Sequence, residues 1–243
     1  MIEVKNKLYI QRLLAKKLFK WDWCKAVTYT QFLGDAKIPF WYKQVHGETV
    51  TLDLSRSMEE IYFCMKSNTR NEIKRAIKEG CTFEINNDFE AFVSFYNDFS
   101  KSKNLDSFIN VHTLTKYDGM TITCSKSNNG VVLAMHATVI NKKDKEAMLF
   151  YSCSQRLNPS LDKRLIGWGN RFLHYKEFEL FKQMGIERYE WNGVNTNKEN
   201  SAQYNISLFK LGFGGEVVES LSLRTPLFLL LKRMQKIIQL IHK

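Results

Sequence analysis

A chain of 243 residues, 44% of them hydrophobic, can bury a real core, and three prolines, twelve glycines and no low-complexity run exclude a disordered chain or a long linker. Thirty-six basic against twenty-five acidic residues leave a net charge of +11, which favours a polyanionic partner (nucleic acid, a phosphorylated small molecule or an anionic membrane face) without choosing among them. The five cysteines, at 24, 64, 81, 124 and 153, have no close pair, so they suggest neither a disulfide framework nor a metal knuckle and fit a reducing cytosol. The N-terminus has lysines and no uncharged apolar run, unlike a signal peptide.

In chain order, residues 1–25 interleave Lys5, Lys7, Arg12, Lys16, Lys17 and Lys20 with Leu8, Leu13, Leu14 and Leu18 at roughly helical spacing. That predicts a basic amphipathic helix, either packed on the domain or touching a membrane. Runs 26–33, 38–46 and 49–54 read as short strands. Thr69 with Glu72 three residues later reads as a capping box opening a helix over 70–78. Phe89, Phe92, Val93, Tyr96 and Phe99 give the apolar side of a helix over 89–101, and a short helix follows near 111–116. From 120 the period changes to two: 120–125, 131–140 and 147–154 read as an antiparallel meander joined by turn residues. A long helix over 164–184, a strand over 188–194, a helix over 201–211 and a strand over 216–223 complete the core. Residues 226–243 form a last amphipathic basic helix, with Leu227, Leu230, Leu231, Met234, Ile238 and Ile241 on one face. It is too short and too charged to span a bilayer but suited to an anionic membrane surface. The expected class is α+β, a mixed, mainly antiparallel sheet with helices on both faces plus amphipathic terminal helices. The division is 1–59 as part of the same domain, 60–223 as core and 224–243 as the final helix.

Three stretches carry chemistry. Arg164-Leu-Ile-Gly167-Trp-Gly169 would offer main-chain N–H groups and a positive helix end to a phosphate, or its glycines permit close packing. Tyr189-Glu190-Trp191-Asn192-Gly193 carries one acid among aromatics: a half-buried Glu190 would be a proton acceptor, or it pairs with a cation. Phe209-Lys210-Leu-Gly212-Phe213-Gly-Gly-Glu216 reads as a helix ended by glycine and feeding a strand, with Lys210 in the last turn where the helix dipole favours a cation.

The order of elements from 120 to 223 and these motifs, with Thr69–Gly80 and the strand bearing His136, resemble the GCN5-related N-acetyltransferase (GNAT) fold. More narrowly they resemble its FemAB-like branch, which includes peptidoglycan-bridge aminoacyltransferases and related CoA-dependent sugar acyltransferases. The resemblance implies acyl transfer to an amine. Glu190 or His136 would accept the proton, His136 being otherwise a buried hydrogen-bonded histidine, and Lys210 would act at the transfer step. Ser152, Ser154, Arg164, Gly167, Gly169 and Phe209 would hold acetyl-CoA, with no metal. Arg70, Lys74, Arg75, Trp191 and Asn192 would face the acceptor, although the three cations equally suit a solvated helix face. Where many acyl-CoA transferases of this fold have a tyrosine, this chain has Leu208. The expected function is a cytoplasmic acyl-CoA-dependent N-acyltransferase, an N-acetyltransferase of a phosphorylated, nucleotide-linked or lipid-linked amino sugar in surface-glycan assembly, working at the inner membrane face if the terminal helices bind lipid. The alternatives are an aminoacyl-tRNA-dependent transferase of cell-wall precursors and a non-catalytic nucleic-acid binder on the same fold.

Overall fold

The computed structural model describes residues 1–105, 107–195 and 201–241. Four strands come first: β1 (Ile2–Lys5), β2 (Ile10–Leu13), β3 (Val27–Phe32) and β4 (Lys43–Asp53). Helices α1 (Met58–Cys64) and α2 (Ser67–Lys78), strand β5 (Thr82–Ile85) and helices α3 (Phe89–Ser102) and α4 (Val111–Thr115) follow. The meander β6 (Met120–Lys126), β7 (Val132–Asn141) and β8 (Glu146–Ser154) leads into α5 (Lys163–Gln183) and β9 (Arg188–Glu190). The chain ends with α6 (Ser201–Leu211), β10 (Glu216–Arg224) and α7 (Pro226–Ile241). It divides into two compact units, Val50–Val217 and Met1–Thr49 with Val218–Lys243.

In the larger unit the strand order is β4-β9-β8-β7-β6-β5. Every neighbouring pair is antiparallel except β8 and β9, which run parallel and are joined by α5. That parallel step requires a crossover, and the apolar side of α5 supplies it by packing on β6 and β7. Helix α2 covers α5 in turn. Burial of Tyr189, Trp191, Phe178, Phe181 and Phe213 makes the centre of this unit an aromatic core.

The turn from α6 into β10 is packed more tightly than any side chain would allow. A Cβ on Gly212 would lie 2.7 Å from Thr69 Oγ1, and one on Gly215 would lie 2.5 Å from Val50 Cγ1. Gly214 has φ +83° and faces the carbonyl of Cys64, where a Cβ would come within 2.7 Å of the oxygen. The amide of Lys66, at the start of α2, donates to the carbonyl of Gly212 at 2.9 Å. This contact explains one departure from expectation. Helix α2 begins at Ser67 with no side-chain cap, and Thr69 is buried against Gly212 instead of opening a capping box. A capping box forms instead at Ser57 with Glu60, opening the unexpected α1, where the Ser57 amide donates to Glu60 Oε2 at 2.8 Å, and another at Asn110 with Thr113 opens α4.

The smaller unit has the order β1-β2-β3-β10, with β2 and β3 parallel. Its N-terminal stretch is not the expected helix. Ile2 and Val4 are buried while Glu3 and Lys5 are exposed, a period of two, and Leu8, which helical spacing placed on an apolar face, is exposed. Arg12 is buried with Asp22 and Tyr29, to both of which it donates, and it pairs with Glu3 at 2.9 Å. A short 3-10 turn, Asp22–Cys24, is the only helical piece before Met58 among the described residues. The C-terminal helix forms as expected in α7, although Ile241 lies outside the described side chains. Among the described residues no helix is long and apolar enough to cross a membrane.

Replacing Gly214 with alanine puts a Cβ into the Cys64 carbonyl at a positive φ, and should lower stability by about 2 kcal/mol or more. Gly167→Ala, at an open helical position with nothing nearer than 3.8 Å, should be neutral or stabilising. Equal melting temperatures for the two variants in thermal unfolding would refute this packing account.

Candidate active site

Strands β8 and β9 stay paired only as far as Met148 and Glu190. Beyond that, β8 runs on to Ser154 alongside β7, with a bulge where Tyr151 and Leu149 face Ala137 and Thr138. A bulge bends and twists its strand, so the two parallel strands part here. The chain after β9 stays on the β4 side through the amide of Trp191, which donates to the carbonyl of Val50 at 2.9 Å. Asn192 then turns with φ +59°, its side-chain oxygen accepting from the Gly193 amide at 2.9 Å.

That turn exposes two carbonyls, and Lys210 from the last turn of α6 fills them. Its Nζ donates to the carbonyl of Asn192 at 2.8 Å and to that of Gly193 at 2.7 Å. Burial pulls Lys210 down from 10.5 to about 8, against the opposing pull of Glu190. An ammonium has three donors; two are spent on peptide oxygens, leaving one. Lys210 is therefore a desolvated, fixed cation with a single spare N–H at the mouth of the gap between β8 and β9.

Behind it lies a buried polar cluster that sequence reasoning missed except for one member. His136 on β7 has Nδ1 2.9 Å from Glu177 Oε2 and Nε2 2.9 Å from Asn170 Oδ1. Thr123 donates its hydroxyl to the other oxygen of Glu177. His174 stacks at 4.1 Å on His136 and at 4.5 Å on Trp191, with Nδ1 3.4 Å from Glu177 Oε2. Burial and its neighbour His136 push His174 down to about 3, so it is neutral. Burial alone would raise the Glu177 carboxyl, but the attraction and hydrogen bond of His136 outweigh it and keep it ionised below the usual range. The signal for this pair was present in the sequence: His174-x-x-Glu177 places both on one face of α5. The three groups could converge on a cation, but both ring nitrogens of His136 are already engaged by Glu177 and Asn170, which suits a hydrogen-bonded cluster better than a metal.

The expected site residues separate clearly. Lys210 and Asn192 meet as described. Glu190 is buried at the end of β9 with Arg188 Nη2 3.5 Å from Oε2, and it lies close enough to Lys210 to act on its charge. His136 is wholly buried, with both ring nitrogens engaged by Glu177 and Asn170. Trp191 is buried core, not an acceptor surface. Phe209 packs on His174 and Phe213, and Arg171 lies 4.8 Å over its ring while pairing with Glu72 at 2.8 Å. Arg70 is spent on the carbonyls of Phe63 and Met65, closing the end of α1. Lys74 and Arg75 remain exposed.

The phosphate cradle also needs correction. Helix α5 starts at Lys163, and its N-cap Asp162 accepts from the Arg164 amide at 2.8 Å. Gly167 and Gly169 therefore sit inside the helix with their amides in the helical ladder. Gly169 is a packing position: a Cβ there would strike Leu133 Cδ1 at 2.6 Å. What the head of α5 does offer is side-chain charge from the exposed Arg156, Lys163 and Arg164, the last facing Asp162 at 3.5 Å. Ser152 is exposed opposite His136 on β8, and Ser154 lines a cleft of about 260 Å³ with Phe95, Phe99 and Asn158.

No protein-family model matches the sequence, and no curated protein matches it. Among solved structures, FemX superimposes on 99% of this chain and 85% of its own with a TM-score of 0.67 at 11% identity. The C-terminal domain of a putative lysylphosphatidylglycerol synthetase from Agrobacterium fabrum does so over 92% and 80%, with a TM-score of 0.61 at 10% identity. L-PGS from Bacillus licheniformis gives 0.59 at 14% identity over the same shares. At such identities the likeness is one of fold. The chain carries a GNAT-like fold of the FemAB type.

The buried cluster sets an acid limit. The unfolded chain protonates His174 below 6.5 while the folded chain refuses the proton down to about 3, so stability falls as pH drops through that window. The slope should reach about 1.4 kcal/mol per pH unit. His174→Phe should flatten it in urea unfolding at stepped pH, and an unchanged slope would show that His174 is not the buried neutral group described.

Proposed function

We propose that this chain is an acyltransferase that moves an acyl group from a CoA thioester to the amino group of a phosphorylated or carrier-linked sugar, within the cytoplasm and in the assembly of surface glycan. The observation that carries acyl transfer is Lys210, a desolvated cation held by two carbonyls with one donor to spare where the parallel strands part. When the amine attacks the thioester carbonyl, the oxygen gains charge, which the spare N–H of Lys210 would stabilise. The amine's proton passes to Glu190, directly or through water, and collapse of the intermediate releases the thiolate. The donor diphosphate would rest on the cations Arg156, Lys163 and Arg164, not on main-chain amides of α5.

A second reading, an aminoacyl-tRNA donor and a cell-wall precursor as acceptor, draws on the likeness to FemX over nearly the whole chain and on Asp162, whose carboxylate competes with a phosphate at the helix end. Titrating acetyl-CoA, CoA and aminoacyl-tRNA into the protein by calorimetry separates the two. Saturable binding of acetyl-CoA, weakened by Arg156→Ala with Lys163→Ala, supports the first; a response to aminoacyl-tRNA alone supports the second. Silence from both would leave a non-catalytic protein.

Lys210→Met should lower the transfer rate by about 10² to 10³ with donor affinity little changed. In the native enzyme the rate should fall as pH rises through about 8, where Lys210 loses its charge, and Lys210→Arg should move that fall to higher pH. A profile identical in both proteins would remove Lys210 from the reaction.

A further inference from the structure

The smaller unit carries a surface that acyl transfer does not use. Trp21 is 61% exposed, Trp23 57% and Phe40 94%, a concentration of bare aromatics that soluble surfaces avoid. Trp23, Trp41 and Pro226 line one open apolar cleft of about 420 Å³, so the aromatics gather at the first turn of α7, which packs against the turn Asp22–Cys24. Beyond it α7 turns Phe228 inward and leaves Leu227, Leu230, Met234 and Ile237 about half exposed, at the three- and four-residue spacing of one helical stripe.

The exposed charge of the tryptophan turn and of α7 has one sign. Residues 226–241 contain no acid; Arg233 lies nearest the stripe, while Lys232 reaches over the rings of Tyr9 and Phe228 on the other side of the helix. Asp22, the acid between the two tryptophans, is buried on Arg12 and Tyr29, while Lys17, Lys20 and Lys25 are exposed beside it. A second copy of the same face would bring cations against cations. An anionic bilayer answers both features: indole and phenyl rings settle at headgroup depth, an amphipathic helix lies in the interface plane, and each nearby cation gains from the negative surface potential. We propose that Trp21, Trp23, Phe40 and the exposed stripe of α7 dock this unit onto an anionic phospholipid surface. The acyltransferase would then meet its acceptor at the membrane.

The test is co-sedimentation of the full chain with vesicles of phosphatidylcholine alone and of equal parts phosphatidylcholine and phosphatidylglycerol, with tryptophan fluorescence as a second reading. Binding to the anionic vesicles, a blue-shifted emission and loss of binding at high salt are expected. Trp21→Ser with Trp23→Ser, and separately Leu230→Gln with Ile237→Gln, should each weaken partitioning roughly tenfold, with circular dichroism and acyl transfer to a soluble acceptor unchanged. No binding to anionic vesicles, or undiminished binding by both double variants, overturns the proposal. So does a concentration-dependent dimer that these variants dissolve in the absence of lipid, which would make the face a contact between copies.

Discussion

The site depends on the way the chain closes from α6 into β10. Phe213 is buried among His174, Phe178 and Trp191, and it can be there only because Gly212, Gly214 and Gly215 let the backbone touch Thr69, Cys64 and Val50. That contact fixes the end of α6, and the end of α6 fixes Lys210. The partner side is fixed just as firmly, because Trp191 anchors the turn whose carbonyls receive the ammonium. A cation between two rigid backbone segments needs no reorganisation when charge develops beside it, which is what electrostatic catalysis requires.

Buried charge is costly, and this unit holds several charged groups within one layer: Lys210, Glu190 and Glu177. Each is compensated locally, Glu177 by His136 and Thr123, Glu190 by Arg188, and Lys210 by peptide oxygens. Such groups depress folding stability relative to an apolar core, and they concentrate where the two parallel strands separate. In the smaller unit the buried set of Arg12, Asp22 and Tyr29 plays a different part: it neutralises the acid of the aromatic turn and leaves the exposed charge of that turn to lysines.

Much of the core was legible. The meander from 120, the long helix after it, the Phe-Lys-x-Gly turn and the strand that follows are marked by changes of period and by glycine, and each forms close to its expected limits. The N-terminal stretch misled because its leucines sit at helical intervals while its buried residues, Ile2 and Val4, alternate; four-residue strands carry too little pattern to win that contest. The glycines of α5 and the arginine of α2 misled for a different reason. Gly169, Gly167 and Arg70 have residue types suited to phosphate, but whether a glycine faces a ligand or Leu133, and whether an arginine faces solvent or the carbonyls of Phe63 and Met65, is decided by packing across the chain. Lys210 was legible as a position and illegible as an environment, since its two carbonyl partners come from a turn eighteen and seventeen residues away.

The central claim is that Lys210 is a desolvated cation poised for transfer. Labelling lysine side chains with nitrogen-15 and titrating the protein by NMR, with Lys210→Arg to assign the signal, reads that claim directly. The account predicts a Lys210 midpoint near 8, set apart from the other lysines. A midpoint at the ordinary 10.5 would mean a solvated lysine, and the site as described would not exist.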